Sequence, residues 1–203
     1  MGELNLLKGA YTGKVGKTVG AKWKNLSTVR TFTKPANPKT EAQVSVRNAF
    51  KEINSFVARF SDAIKYLSAW NTAGMSVRNA IVKANKAMID TGTFNKEVLQ
   101  ISKGGLAKPT DLKGTWDSSA GGAITFAWKK PIASNISADA QMVIVAVDEV
   151  NDLFEVVEAK ASAEAATGTV SFPATAELSV YGYILDKHGS VKVASNSVYV
   201  TLA

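Results

Sequence analysis

A chain of 203 residues without a single cysteine excludes disulfide staples and thiolate metal sites. With 46% apolar and 20% charged residues it has the ordinary balance of a globular protein with a core, and its longest apolar run, Met142–Val147, is far short of a membrane helix. The net charge of +7 is uneven, at +8 over residues 1–60, +4 over 61–110 and −5 over 111–203. Such a front can meet nucleic acid or an acidic surface, or the two ends can attract head to tail between copies. The first twenty residues hold Glu3 and no apolar core of signal-peptide length, as expected of a soluble chain without an export signal.

The first motif is 13-GKVGKT-18, whose Gly-Lys-Thr ending is that of a nucleotide-binding P-loop. That loop needs G-x-x-x-x-G-K-[ST], because it wraps several backbone N–H groups around a phosphate. Five positions before Gly16 stands Tyr11, and Gly13 leaves the loop two residues short. The following TVGAKWK alternates, with Val19, Ala21 and Trp23 on one face and Thr18, Gly20, Lys22 and Lys24 on the other, which is the period of a strand. Residues 8–34 are therefore read as a β-ribbon, a hairpin turning near Asn25–Ser27 and ended by Pro35 and Pro38. Gly9, Gly13, Gly16 and Gly20 remove side chains and let another backbone approach. Tyr11, Val15, Val19, Trp23, Val29 and Phe32 are its apolar anchors and candidate contacts between copies. Lys14, Lys17, Lys22, Lys24 and Arg30 coat the open face and are candidate contacts to phosphate or to an acidic surface. A ribbon this short does not bury a core alone and needs a second surface.

Thr40-Glu41-Ala42-Gln43 matches a capping box and starts a helix. Val46, Phe50, Ile53, Val57, Phe60, Ile64 and Leu67 follow at spacings of four and three, a narrow stripe on one face. With no Gly or Pro from 39 to 72, the spacing predicts one helix of roughly 25 residues, broken by Gly74. A second helix carries Val77, Ile81, Ala84 and Met88 on one face and closes at Asp90-Thr91-Gly92. The pair is expected to be antiparallel. LQISKGGLAKPTDLKGT, with two adjacent glycines and a proline, then reads as a linker.

Beyond Leu112 come short β runs: AITFAWKK, QMVIVAVDE, LFEVVEAKA, GTVSFPA, ELSVYGYILD and SVKVASNSVYVTL. Six or seven strands in some 90 residues predict a sandwich of the fibronectin type III or immunoglobulin-like kind, with Trp128 near the end of an early strand as its aromatic partner and a hairpin turn at Asp186-Lys187-His188-Gly189. The fold class is α+β, with domains expected at 1–110 (basic ribbon plus helical hairpin) and 111–203 (acidic sandwich).

Catalytic signals are sparse. His188, the single histidine, sits in a turn without a nucleophile in sequence reach. Asp148, Glu149, Asp152, Glu155 and Glu158 cluster without the spacing of a calcium loop, and no G-x-S-x-G elbow occurs. No enzyme, cofactor, metal or small-molecule substrate is expected.

The blocks GAYTGKVGKTVGAKWKN, VRTFTKPANPKTEAQVSVRNAFK, VLQISKGGLAKP and AITFAWKKP together resemble a functionally uncharacterised family of Bacteroidetes and their phages, over nearly the full length. Asn25-Leu26-Ser27 stands where that resemblance leads one to expect a glycine-containing turn. The resemblance implies a ribbon, a helical middle with VLQISKGGLAKP as a strand, and a fibronectin-like end; it supplies no site residues. Its phage association points to a virion part, made in the host cytoplasm, that forms a homo-oligomer with other virion proteins in a neck, tail or capsid-associated ring. The rival expectation is a cytoplasmic nucleic-acid-binding protein using the basic ribbon. Neither involves a membrane.

Overall fold

The computed structural model describes residues 3–5, 10–23, 26–34, 36–37, 39–70, 74–117 and 122–202, with residues 3–5, 10–11, 23 and 26 described by backbone alone. The chain forms two compact units, Met1–Thr40 and Glu41–Ala203.

The first unit is a four-stranded antiparallel sheet, β1 (Glu3–Asn5), β2 (Ala10–Val15), β3 (Thr18–Trp23) and β4 (Leu26–Thr31), in that spatial order. The GKVGKT stretch is the β2–β3 hairpin. Val15 faces Thr18 across a Gly16-Lys17 turn, and the Thr18 hydroxyl donates to the Val15 carbonyl at 3.0 Å. Gly16 has φ +57°, and a glycine with positive φ at the first position of a two-residue turn matches the right-handed twist of the flanking strands. A strand follows where a P-loop requires a helix. The β3–β4 hairpin is also present, but Leu26 pairs with Trp23 and Ser27 with Lys22. Leu26 and Ser27 are thus strand rather than turn; Asn25, Pro35 and Pro38 lie outside the described residues.

In the second unit, α1 (Glu41–Ala58) starts directly after Thr40, where the capping box places it. It is 18 residues long, shorter than the stripe predicts, and a turn and a 3-10 segment at Ala63–Tyr66 follow. Bending there keeps Phe60 and Ile64 fully buried without continuing the helix. The buried face carries Ala49, Ile53, Phe56 and Val57, while Phe50 is 50% exposed. A spacing of 3.5 drifts around a helix of 3.6 residues per turn, which explains why the start of the stripe leaves the core and Phe56 joins it. The second helix divides into α2 (Val77–Ala84) and α3 (Lys86–Thr91). Ser76 caps α2, its side chain accepting from the Asn79 N–H at 3.2 Å. Buried Asn85 makes the break: its Nδ2 donates to the carbonyls of Ile81 and Gln100, both at 2.8 Å, and its Oδ1 accepts from the Gln100 N–H at 2.9 Å. Gly92 ends α3 in the left-handed region at φ +69°, as Asp90-Thr91-Gly92 predicts.

The remaining strands are β5 (Thr110–Thr115), β6 (Ala123–Lys129), β7 (Gln141–Asp148), β8 (Leu153–Lys160), β9 (Ala165–Ser171), β10 (Leu178–His188), β11 (Val191–Ala194) and β12 (Val198–Val200). They form an antiparallel sheet β5-β6-β9 and a second sheet β11-β10-β7-β8, in which β12 also pairs with β10. The fold is α+β. Because β10 runs to His188, the turn lies at Gly189–Ser190, two residues later than the sequence suggests.

Strand β7 explains why helices and sheets are one unit. Its Val143, Val145 and Val147 join Ile53, Phe56, Val57, Phe60, Ile81, Tyr181 and Tyr183 in one apolar cluster. The alternate residues Met142, Ile144 and Ala146 join Ile124, Phe126, Trp128, Val180 and Ile184 in another. A strand buried on both faces reads as a continuous apolar run, which is what MVIVAV is. The domain boundary expected between residues 110 and 111 is accordingly not where the compact units divide. The division falls between 40 and 41, because the helix stripe is covered by β7 and β10.

Nor is the stretch after α3 a linker, or a strand. Leu99 and Ile101 are in the helix-side cluster and Leu106 in the other. Ile101 N–H donates to Ser197 Oγ at 2.9 Å, and Ser102 Oγ donates to the Ser195 carbonyl at 2.8 Å. A Cβ on Gly104 would stand 1.9 Å from the Ala194 carbonyl oxygen, so this glycine serves close backbone approach. The last six residues of the expected linker, Thr110–Thr115, are β5 itself.

Candidate assembly surface

The ribbon's anchors and cations do not separate onto two faces. Directly paired residues of an antiparallel sheet share a face; Lys14, Val19 and Arg30 are in one row, and Gly20 pairs with Val29. Val19 and Arg30 therefore share a face, and Val29 lies on the opposite one with Lys22 and Val15. The apolar set is split and the basic set is split. The alternation within β3 holds as expected, but the partner strands' register decides which of their residues join it.

Most of these side chains are exposed. Val15 is 44%, Val29 55% and Phe32 45% exposed, and only Val19 is half-buried. Phe32 sits just past β4, where its N–H donates to the Lys17 carbonyl at 2.7 Å, and the Lys14 ammonium lies 3.9 Å from its ring centroid. Lys17 is exposed in the hairpin turn, and Lys22 and Arg30 are exposed on β3 and β4. The backbones of Tyr11 and Trp23 belong to β2 and β3, their side chains lying outside the description, and Lys24 is wholly outside the described residues. Residues 1–40 carry eight Lys/Arg against one acid, whereas residues 41–203 carry sixteen of each. The whole net charge of +7 belongs to the ribbon unit.

Four of the five clustered carboxylates are engaged within the fold. Asp148 is buried and accepts from the N–H groups of Val150 and Glu177, at 3.0 and 3.2 Å, holding the β7–β8 turn. Glu149 pairs with Lys96 and Arg59, and Asp152 with Arg59 Nε at 2.8 Å, tying the helices to the sheet end. Glu155 turns inward, its Oε1 accepting from the N–H and hydroxyl of Thr169 and the N–H of Val170, which joins β8 to β9. Glu158 is exposed. Among the described residues, no three His, Asp or Glu side chains gather as metal ligands do. Around this turn Val150, Leu153 and Phe154 are exposed, a patch that sequence reasoning passed over because LFEVVEAKA reads as an ordinary half-buried strand.

His188 stands 49% exposed at the end of β10, its Nε2 3.5 Å from Asp186 Oδ2. Burial works to raise the Asp186 pKa, but the hydrogen bonds it accepts outweigh that: from Ser137 N–H and Oγ and from Lys187 N–H, all at 2.7 Å. Its carboxyl is held below the usual range. A depressed carboxylate contributes stability that is present above its unfolded pKa of about 3.9 and lost as pH falls through the folded value. Asp186→Asn should therefore cost about 1.5–3 kcal/mol at neutral pH, by urea titration, with the difference from the parent shrinking below about pH 4. A difference independent of pH would refute this role.

Sequence reasoning also missed a cleft beside the start of α2, lined by Asp62, Lys65, Tyr66, Trp70 and Arg78, whose buried Nε has no hydrogen-bond partner among the described residues. These residues meet because the chain turns after α1, where the periodicity read as unbroken helix. No helix among the described residues is long and apolar enough to cross a membrane.

The model of a family described as of unknown function, DUF6266, matches residues 10–201. No curated protein and no solved structure matches the chain.

Proposed function

The chain belongs to the DUF6266 family of unknown function, and on that premise we propose that it is a non-enzymatic structural protein that assembles in many copies. The observation that carries this reading is the ribbon unit: forty residues hold the entire net charge and leave Val15, Val29 and Phe32 open to solvent. Apolar groups on a small charged sheet are suited to contact with another subunit. The setting we propose is a phage of Bacteroidetes, with the protein in the virion as a neck, tail or capsid-associated ring beside other virion proteins. The remainder is read as a fibronectin type III or immunoglobulin-like sandwich. In support, two antiparallel sheets, β5-β6-β9 and β8-β7-β10 with β11 and β12, contribute to a shared cluster around Trp128. Light scattering on purified protein, with and without virion partners, tests the assembly reading, and a strict monomer that never joins particles overturns it.

The ribbon's charge also favours a second reading, contact with nucleic acid. Neutralising phosphates with several lysines gives an affinity that falls steeply with salt, with a log–log slope of roughly −0.9 per contact on duplex. No binding at about 50 mM salt removes this reading.

A further inference from the structure

We propose that the β4 edge of one copy docks on the β8 edge of the next, extending its sheet head to tail; this rests on the assembly reading and names the two surfaces involved. Both strands end their sheets, β4 in β1-β2-β3-β4 and β8 in β11-β10-β7-β8, with no strand beyond either among the described residues. An edge strand presents unpaired N–H and C=O groups, a template for a strand from another chain. Strand addition supplies main-chain hydrogen bonds, while alternate side chains give specificity on both faces. That suits the ribbon, whose exposed apolar and basic groups lie on both faces: Val29 on one, Arg30 on the other. The receiving edge matches it. Leu153 and Phe154 are 38% and 39% exposed on β8, with Val150 beside them in the turn. Exposed Glu158 lies on the strand and exposed Glu177 by the turn, while Glu155 is turned inward to β9.

Charge selects a second copy as the occupant, and selects its orientation. Two β8 edges side by side would join sandwiches whose residues 111–203 each carry −5, and two β4 edges would join sheets from units that each carry +7. Like charges across a strand pair are unfavourable, whereas β4 on β8 sets Arg30 and its basic sheet against Glu158. The contact is heterologous, so each copy keeps one free β4 edge and one free β8 edge until a ring closes or a filament grows.

The test is sedimentation of the full chain over a concentration series, beside Arg30→Glu, Glu158→Lys and the two combined. Each single reversal should weaken association about tenfold and the combination should regain most of it. As a measurement independent of those variants, Thr28→Cys and Glu158→Cys copies of this cysteine-free chain are mixed with a short bis-maleimide linker. Mixed dimers are expected in excess over either homodimer. If the parent associates but the reversals do nothing and mixed dimers do not form, the β4–β8 contact is wrong while assembly stands. A parent that stays monomeric to about 1 mM overturns both.

Discussion

Phe56→Ala is expected to lower the melting temperature of the entire 41–203 unit by roughly 6–20 °C, in a single transition followed equally by helix and sheet signals. Phe56 is 2% exposed, with ring centroids 5.7 Å from Phe60, 5.8 Å from Phe94 and 6.1 Å from Tyr181. It thus joins α1, the segment after α3 and the centre of β10. Removing its ring leaves a cavity between helix and sheet that neither side fills alone, a loss of about 3–5 kcal/mol. The hydrogen bonds around it cross the same boundary: Tyr181 Oη donates to the Lys96 carbonyl and Tyr183 Oη to the Leu67 carbonyl, both at 2.9 Å. Burial raises the pKa of both phenols, so they remain neutral donors throughout the range in which the protein would be handled. Two transitions, with the sheet's unaltered by the substitution, would mean that helices and sandwich fold separately and that the chain divides near residue 110 after all.

Removing residues 1–40 should leave that transition in place, with its midpoint moved by no more than about 4 °C, and abolish self-association in the same sample. The physical ground is the division between Thr40 and Glu41: the described core residues, from Ala49 to Val200, all follow it. The truncation also removes a net charge of +7 and leaves a unit of zero net charge. Retention on a cation exchanger, and any binding to nucleic acid, should fall with it. Circular dichroism melts and sedimentation velocity on the same preparation check both halves of the expectation. If the truncated chain fails to fold, the ribbon is part of the protein's own core; if it folds and still associates, the contact between copies lies elsewhere.

Local pattern alone determined much of this protein. The alternation of TVGAKWK made β3 a strand and ruled out a P-loop, Thr40-Glu41-Ala42-Gln43 set the start of α1, and Asp90-Thr91-Gly92 set the end of α3. Each of these is decided by backbone preferences and periodicity within a few residues, so no distant partner is needed to read it. What failed in the reading failed for a common reason. Asn85 broke the second helix because Gln100 was there to bond it, and TDLKGT became a strand because β6 paired with it despite its one large apolar residue, Leu112. Val19 and Val29 lie on opposite faces because of register, a property of two strands that neither contains alone. Only the tertiary structure brings Leu67 to Tyr183 across 116 positions. Periodicity says that a face is apolar; what covers that face is settled by segments too far away in the chain for any local pattern to name.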